Sequence, residues 1–160
     1  MYLVFCQVAN QERQRVSLAA QTMSETVGHA IRHCLGEEYK EQSEFVLAAD
    51  RTFDVFNSRR PLDSKKHRCG FGVPEAFEEQ YDSLMAFTKV MEDARVGKHR
   101  SLLPFQKGYI MSSAALRGLH SYLCRPQDSP LHYILTSRLT QDFVENFFSQ
   151  VKTKKAIQTI

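Results

Sequence analysis

Two acids near the C-terminus are the first residues whose types and spacing can do chemistry. Asp142 and Glu145 lie three apart in the stretch Leu135-Thr-Ser-Arg-Leu-Thr-Gln-Asp-Phe-Val-Glu-Asn-Phe-Phe-Ser-Gln-Val-Lys152. On a helix, positions three apart are neighbours on one face. Two carboxylates in that relation can share a hard cation such as Mg²⁺ or Mn²⁺, which takes oxygen ligands. The same pair also suits the first turn of a helix, where the dipole favours acids. His29 and His33, four apart, have a metal-ligand spacing, but no third ligand lies near and no Glu follows the first histidine. They read as surface or packed histidines. Lys65-Lys-His-Arg68 is a short basic run suited to solvent or to a phosphate or DNA contact. Gly70 and Gly72 after it are too sparse for a phosphate-cradling loop, which needs G-x-x-x-x-G-K-S/T behind a strand.

The elements that must position these groups are mostly helices. Val16, Ala19, Ala20, Met23, Val27, Ala30, Ile31 and Cys34 step by three and four, predicting a helix over about Gln11–Leu35 that Gly36 stops. Phe45, Ala48 or Ala49, Phe53 and Phe56 predict a second helix over about Glu41–Asn57, ended by Pro61. Pro74 opens a third, whose inner face is Phe77, Tyr81, Leu84, Met85, Thr88 and Met91, with Gly97 beyond its end. Ile110, Leu116, Leu119 and Leu123 mark a fourth, over about Ile110–Leu123. Arg125-Pro-Gln-Asp-Ser-Pro130 is the clearest boundary in the chain. Beyond it, Leu139, Phe143, Phe147 and Val151 form an apolar stripe, with Ser137 or Thr140 as N-cap. A short strand fits only Tyr2–Val8.

Composition limits the function classes. The 160 residues suffice for one ordinary domain or parts of two. With 42% apolar residues and charges of both signs, the chain is globular rather than disordered. A net charge of +3 is a weak pointer to a polyanionic partner. Cys6, Cys34, Cys69 and Cys124 form no C-x-x-C pair and read as reduced thiols. No apolar run approaches a membrane span, and the N-terminus lacks the basic start and apolar core of a signal peptide.

Leu139-Thr-Gln-Asp-Phe-Val-Glu-Asn-Phe-Phe-Ser149 resembles the "LSQDxxENFFS" helix of P-element-type DNA transposases, the group that includes the THAP-domain transposases. Three further stretches are similar to that family in the same order. They are Val16-Ser-Leu-Ala-Ala-Gln-Thr-Met-Ser-Glu-Thr-Val27, Phe53-Asp-Val-Phe-Asn-Ser-Arg59, and Leu102-Leu-Pro104 with Lys107-Gly108, where Phe105-Gln replaces the usual Ser-Arg. The resemblance implies a mainly α chain. Residues 1–124 would be a partial helical GTP-binding insertion domain. Residues 125–160 would be the closing segment of an RNase H-like catalytic domain, with the whole incomplete at both ends.

The resemblance implies specific roles. Glu145 would be the last catalytic acid and Asp142 its neighbour, both toward Mg²⁺ or Mn²⁺. Phe53, Asp54, Asn57 and Ser58 would contact GTP. A carboxylate can accept the paired N–H donors of a guanine edge, and a ring beside it can stack on the base; a core Phe with an Asn-Ser cap and an exposed Asp is the plainer alternative. Two-metal chemistry places ions about 3.5–4 Å apart and needs further acids from separate strands, so the chain alone is expected to be inactive. Also implied are transposon-end and target DNA as partners, a homo-oligomer for the full-length protein, no membrane, and a nuclear location. The reading from a different class is a non-catalytic, domesticated helical domain that binds a nucleotide or a protein partner.

Overall fold

In the computed structural model, which describes residues 16–97, 101–124 and 129–140, the chain is mainly helical. Five α-helices follow in order: α1 Val16–Thr22, α2 Glu25–Leu35, α3 Lys40–Phe56, α4 Pro74–Asp93 and α5 Pro104–Leu123. Single 3₁₀ turns occupy Glu37–Tyr39, Lys66–Arg68 and Thr136–Leu139. The anticipated strand at Tyr2–Val8 lies outside the described residues, as does the stretch carrying Asp142 and Glu145. Among the described residues the only β-pairing is one antiparallel bridge between Phe71 and Ile134.

The first predicted helix is two. Ser24 takes extended backbone geometry and its hydroxyl accepts from the Val27 N–H at 3.4 Å, so it caps α2 and ends the run from α1. Gly36 stops α2 with φ 92°. The second and third predicted helices match α3 and α4 within a few residues. The fourth begins earlier than its apolar pattern suggested. Pro104 sits at the start of α5, and the buried Gln106 side chain accepts from the Leu103 N–H at 2.9 Å. The same amide donates to the carbonyls of Met91 and Ala94, at 2.8 and 2.9 Å, tying the end of α4 to the start of α5.

Helices α2 and α3 pack closely at Gly28, where a Cβ would stand 2.7 Å from Leu47 Cδ2. The Ser43 hydroxyl donates to the Gly28 carbonyl at 2.8 Å across the same contact. The core lies where α3, α4, α5 and residues 129–140 meet, and is built on Val55, Phe71, Leu84, Leu116 and Ile134. Cys69, Val73 and Ala76 form a smaller cluster covered by Tyr133. Burying these side chains stabilises the fold by about 1.5–3 kcal/mol each for the larger ones.

Residues 129–140, set apart in sequence by the turn-rich 125–130 stretch, are bound into the helical body. Phe71 and Ile134 exchange two backbone hydrogen bonds of 2.8 Å. Ser58 N–H donates to Thr136 Oγ1 at 3.0 Å, Thr136 N–H to Ser58 Oγ at 3.1 Å, and Thr136 Oγ1 to the Val55 carbonyl at 2.6 Å. Both side chains are buried, and this clasp fixes the C-terminal end of α3.

Candidate functional site

The C-terminal half of α3 carries the predicted base-contacting residues, and it divides them between two environments. Phe53 is 39% exposed, on a helix whose other face makes the core. Asp54, the next residue, is buried, with its side chain only 11% exposed. Asn57 caps the helix and is half-buried. These three line one cleft of 290 Å³ with Arg59, Arg60, Asp63 and Arg68. Ser58 faces the other way. Its hydroxyl lies 2.9 Å from Thr136 Oγ1 and also accepts from the Thr136 N–H, so it is engaged in the clasp rather than at the cleft.

The electrostatics of the cleft follow from the Asp54 carboxylate. A buried carboxylate needs compensation, and Arg68 supplies it: its Nε donates to Asp54 Oδ2 at 2.9 Å. The Asp54 hydrogen bond raises the already high pKa of the Arg68 guanidinium. Asp50, one turn earlier on α3, is held above the ordinary aspartate range by burial and then by the Asp54 charge. In the rim, the Lys65 N–H donates to Asp63 Oδ1 at 3.1 Å, and that bond lowers the Asp63 pKa.

The loop presenting Arg68 is braced from behind. Gln80 on α4 is fully buried and donates to the carbonyls of Lys66 and Cys69, at 3.0 and 2.9 Å. His67 Nε2 lies 2.8 Å from the Ser83 hydroxyl. Burial pushes the His67 imidazole below its ordinary range, against the raising influence of Glu79. The other basic residues of this loop are paired: Lys65 with Glu25, and Lys66 with Glu79 at 3.0 Å. A second polar cleft of 360 Å³, on the α2 side, contains Asp50, Arg51, Asp54, Lys65 and His67 among its walls. Asp54 therefore stands between two openings.

Sequence reasoning missed Arg59, Arg60 and Arg68 as partners of Phe53 and Asp54. The basic residues were visible, but Arg68 reaches Asp54 only through the turn at Pro61 and the Gln80 brace, while Arg59 and Arg60 line the cleft without bonding to it. His29 lies 3.8 Å from Glu25. Among the described residues no three His, Cys, Asp or Glu side chains converge so as to hold a metal ion. None of the described helices is long and apolar enough to cross a membrane.

The cleft can therefore hold a flat, donor-edged ligand bearing negative charge: a stacking face at Phe53, a carboxylate at Asp54 and guanidinium groups around the rim. The comparisons with known proteins point to the same class of ligand. Residues 6–69 match the family described as TNP-like, GTP-binding insertion domain, which takes in α1 to α3 and the Arg68 loop. Over 152 residues the chain is 36% identical to the transposable element P transposase of Drosophila melanogaster, covering 92% of this chain. It spans about a fifth (20%) of that relative's length. A solved structure, the Drosophila P element transposase strand transfer complex, superposes with a TM-score of 0.77 at 33% identity, covering 89% of this chain and 33% of that one. The chain is thus similar over most of its length to P-element transposases, and its residues 6–69 match the TNP-like, GTP-binding insertion domain.

Proposed function

We propose that this chain supplies guanine-nucleotide recognition to a DNA transposase of the P-element type. The observation that carries this reading is the buried Asp54 carboxylate, set beside the exposed Phe53 ring in an arginine-rimmed cleft. Guanine presents an N–H and an adjacent amino group, and a carboxylate accepts both; adenine offers an acceptor where guanine has its N–H. Phe53 stacks on the base. Asn57 contacts the base or sugar at the cleft edge. Ser58 acts behind them by fixing the end of α3 through Thr136. Arg59 and Arg60 suit the phosphates, since guanidinium forks match phosphate oxygens.

In the same reading Glu145 is the last acid of a metal-dependent cleavage and strand-transfer site, with Asp142 beside it. Mg²⁺ or Mn²⁺ held there, with acids from outside this stretch, would stabilise charge on the attacking and leaving oxygens of DNA. The partners are transposon-end and target DNA in a nuclear, oligomeric transposase.

The test is a titration of the protein and its Asp54→Asn variant with GTP, XTP and ATP. Asparagine places an NH₂ donor where the guanine edge also donates, but it matches the 2-oxo group of xanthine. GTP affinity should fall by about thirty- to a thousand-fold, or about 2–4 kcal/mol, and XTP should gain. Equal GTP affinity in both proteins would remove Asp54 from the base site.

A further inference from the structure

We infer that Arg68 is an internal stand-in for the guanine edge, holding Asp54 until the base displaces it. The inference rests on the base-site reading above and concerns how that site is regulated. A guanidinium offers parallel N–H donors to a carboxylate, as guanine does with its ring N–H and amino group. In this structure Arg68 Nε already takes Asp54 Oδ2 at 2.9 Å. Arg68 also lines the cleft through which a base would reach Asp54. Of the two openings that reach Asp54, Arg68 lines the one shared with Phe53, so a base stacked on Phe53 competes with Arg68 for the carboxylate.

The exchange needs only a side-chain rotation. The Arg68 backbone is held by its N–H bond to the Lys65 carbonyl at 2.9 Å, and Gln80 grips the carbonyls of Lys66 and Cys69. The guanidinium end has room to swing once its bond to Asp54 breaks, since the Arg68 side chain is 49% exposed. Once released it stays in the cleft near Asp63, Arg59 and Arg60, where it adds a cation for the phosphates. Arg68 thus opposes a bare base and favours a phosphorylated one. The site discriminates for the nucleotide over the nucleoside by a trade of partners on one residue.

The test uses guanosine, which is neutral, beside GTP. In the Arg68→Ala protein guanosine should bind about tenfold tighter than in the unaltered protein, while the ratio of GTP to guanosine affinity falls by about tenfold. In the unaltered protein guanosine affinity should rise with salt, because salt screens a half-exposed ion pair; in Arg68→Ala that rise should vanish. Thermal melting checks that the variant is folded. Should it not fold, Arg68→Lys serves instead, since an ammonium lacks the fork and holds Asp54 less well; guanosine should again tighten. A folded variant that binds guanosine no tighter than the unaltered protein overturns the inference alone. Failure of the unaltered protein to bind either guanosine or GTP overturns the base-site reading, and this inference with it.

Discussion

Replacing Thr136 by Val should destabilise the protein by about 2–4 kcal/mol, although shape and volume barely change. The Thr136 hydroxyl is buried and central to the clasp. It donates to the Val55 carbonyl at 2.6 Å and accepts from the Ser58 N–H at 3.0 Å and the Ser58 hydroxyl at 2.9 Å. Valine keeps the packing and removes all three bonds. Each bond contributes about 0.5–1.5 kcal/mol net, and a buried N–H left without an acceptor costs about 1–3 kcal/mol. Partial overlap of these terms gives the stated range, which for a chain of this size lowers Tm by about 5–15 °C. Thr136→Ser keeps the hydroxyl and should lose only about 1 kcal/mol. The measurement is urea unfolding of the three proteins, followed by circular dichroism. A loss below about 0.5 kcal/mol for Thr136→Val would refute the claim that this hydroxyl holds the end of α3.

Phe53→Ala should weaken GTP binding by about ten- to a hundred-fold through lost stacking, while its Tm stays within a degree or two because the ring is half in solvent; calorimetry on the same samples reads both. His67 predicts a pH dependence. Its folded-state pKa is depressed by burial, so the unfolded chain binds the proton more readily. Stability is fully present above the ordinary histidine value of about 6.5 and is lost as pH falls below it; the slope of stability against pH between about 7 and 5 should be shallower in His67→Gln. Gly72→Ala should cost at least about 2 kcal/mol, since Gly72 has φ +105° and a Cβ there would lie 2.4 Å from His120 Nε2; an unchanged denaturation midpoint would contradict it.

Where apolar side chains repeat at helical spacing, the sequence was legible: α3 and α4 fall where Phe, Leu and Met recur. Which face turns inward was less so. Phe53 and Phe45 belong to the predicted stripe of α3, yet both are exposed, while Val46, Val55 and Thr52 are buried. On α4 the predicted Tyr81 and Met85 are exposed, and Gln80 and Phe87 take the interior. One cause acts at the buried polar positions. Polar side chains at the centre of the molecule satisfy backbone groups of segments distant in sequence, and hydropathy cannot register that. Gln80 serves carbonyls at 66 and 69, Gln106 those at 91 and 94, and Ser58 meets Thr136.

The candidate site shows the same division. Phe53, Asp54 and Asn57 are adjacent on one helix end, so a local motif could mark them. Arg68 reaches Asp54 only because the chain turns at Pro61 and is braced by Gln80, and no spacing rule relates residue 68 to residue 54. The exposure of Phe53 supports the proposed stacking role. An aromatic side chain left in solvent at the mouth of a charged cleft stabilises the fold little and is well placed to stack on a planar ligand. Physical placement at the cleft, rather than the motif by itself, separates Phe53 and Asp54 from Ser58, which the same motif groups with them but which the fold uses to hold their helix in place.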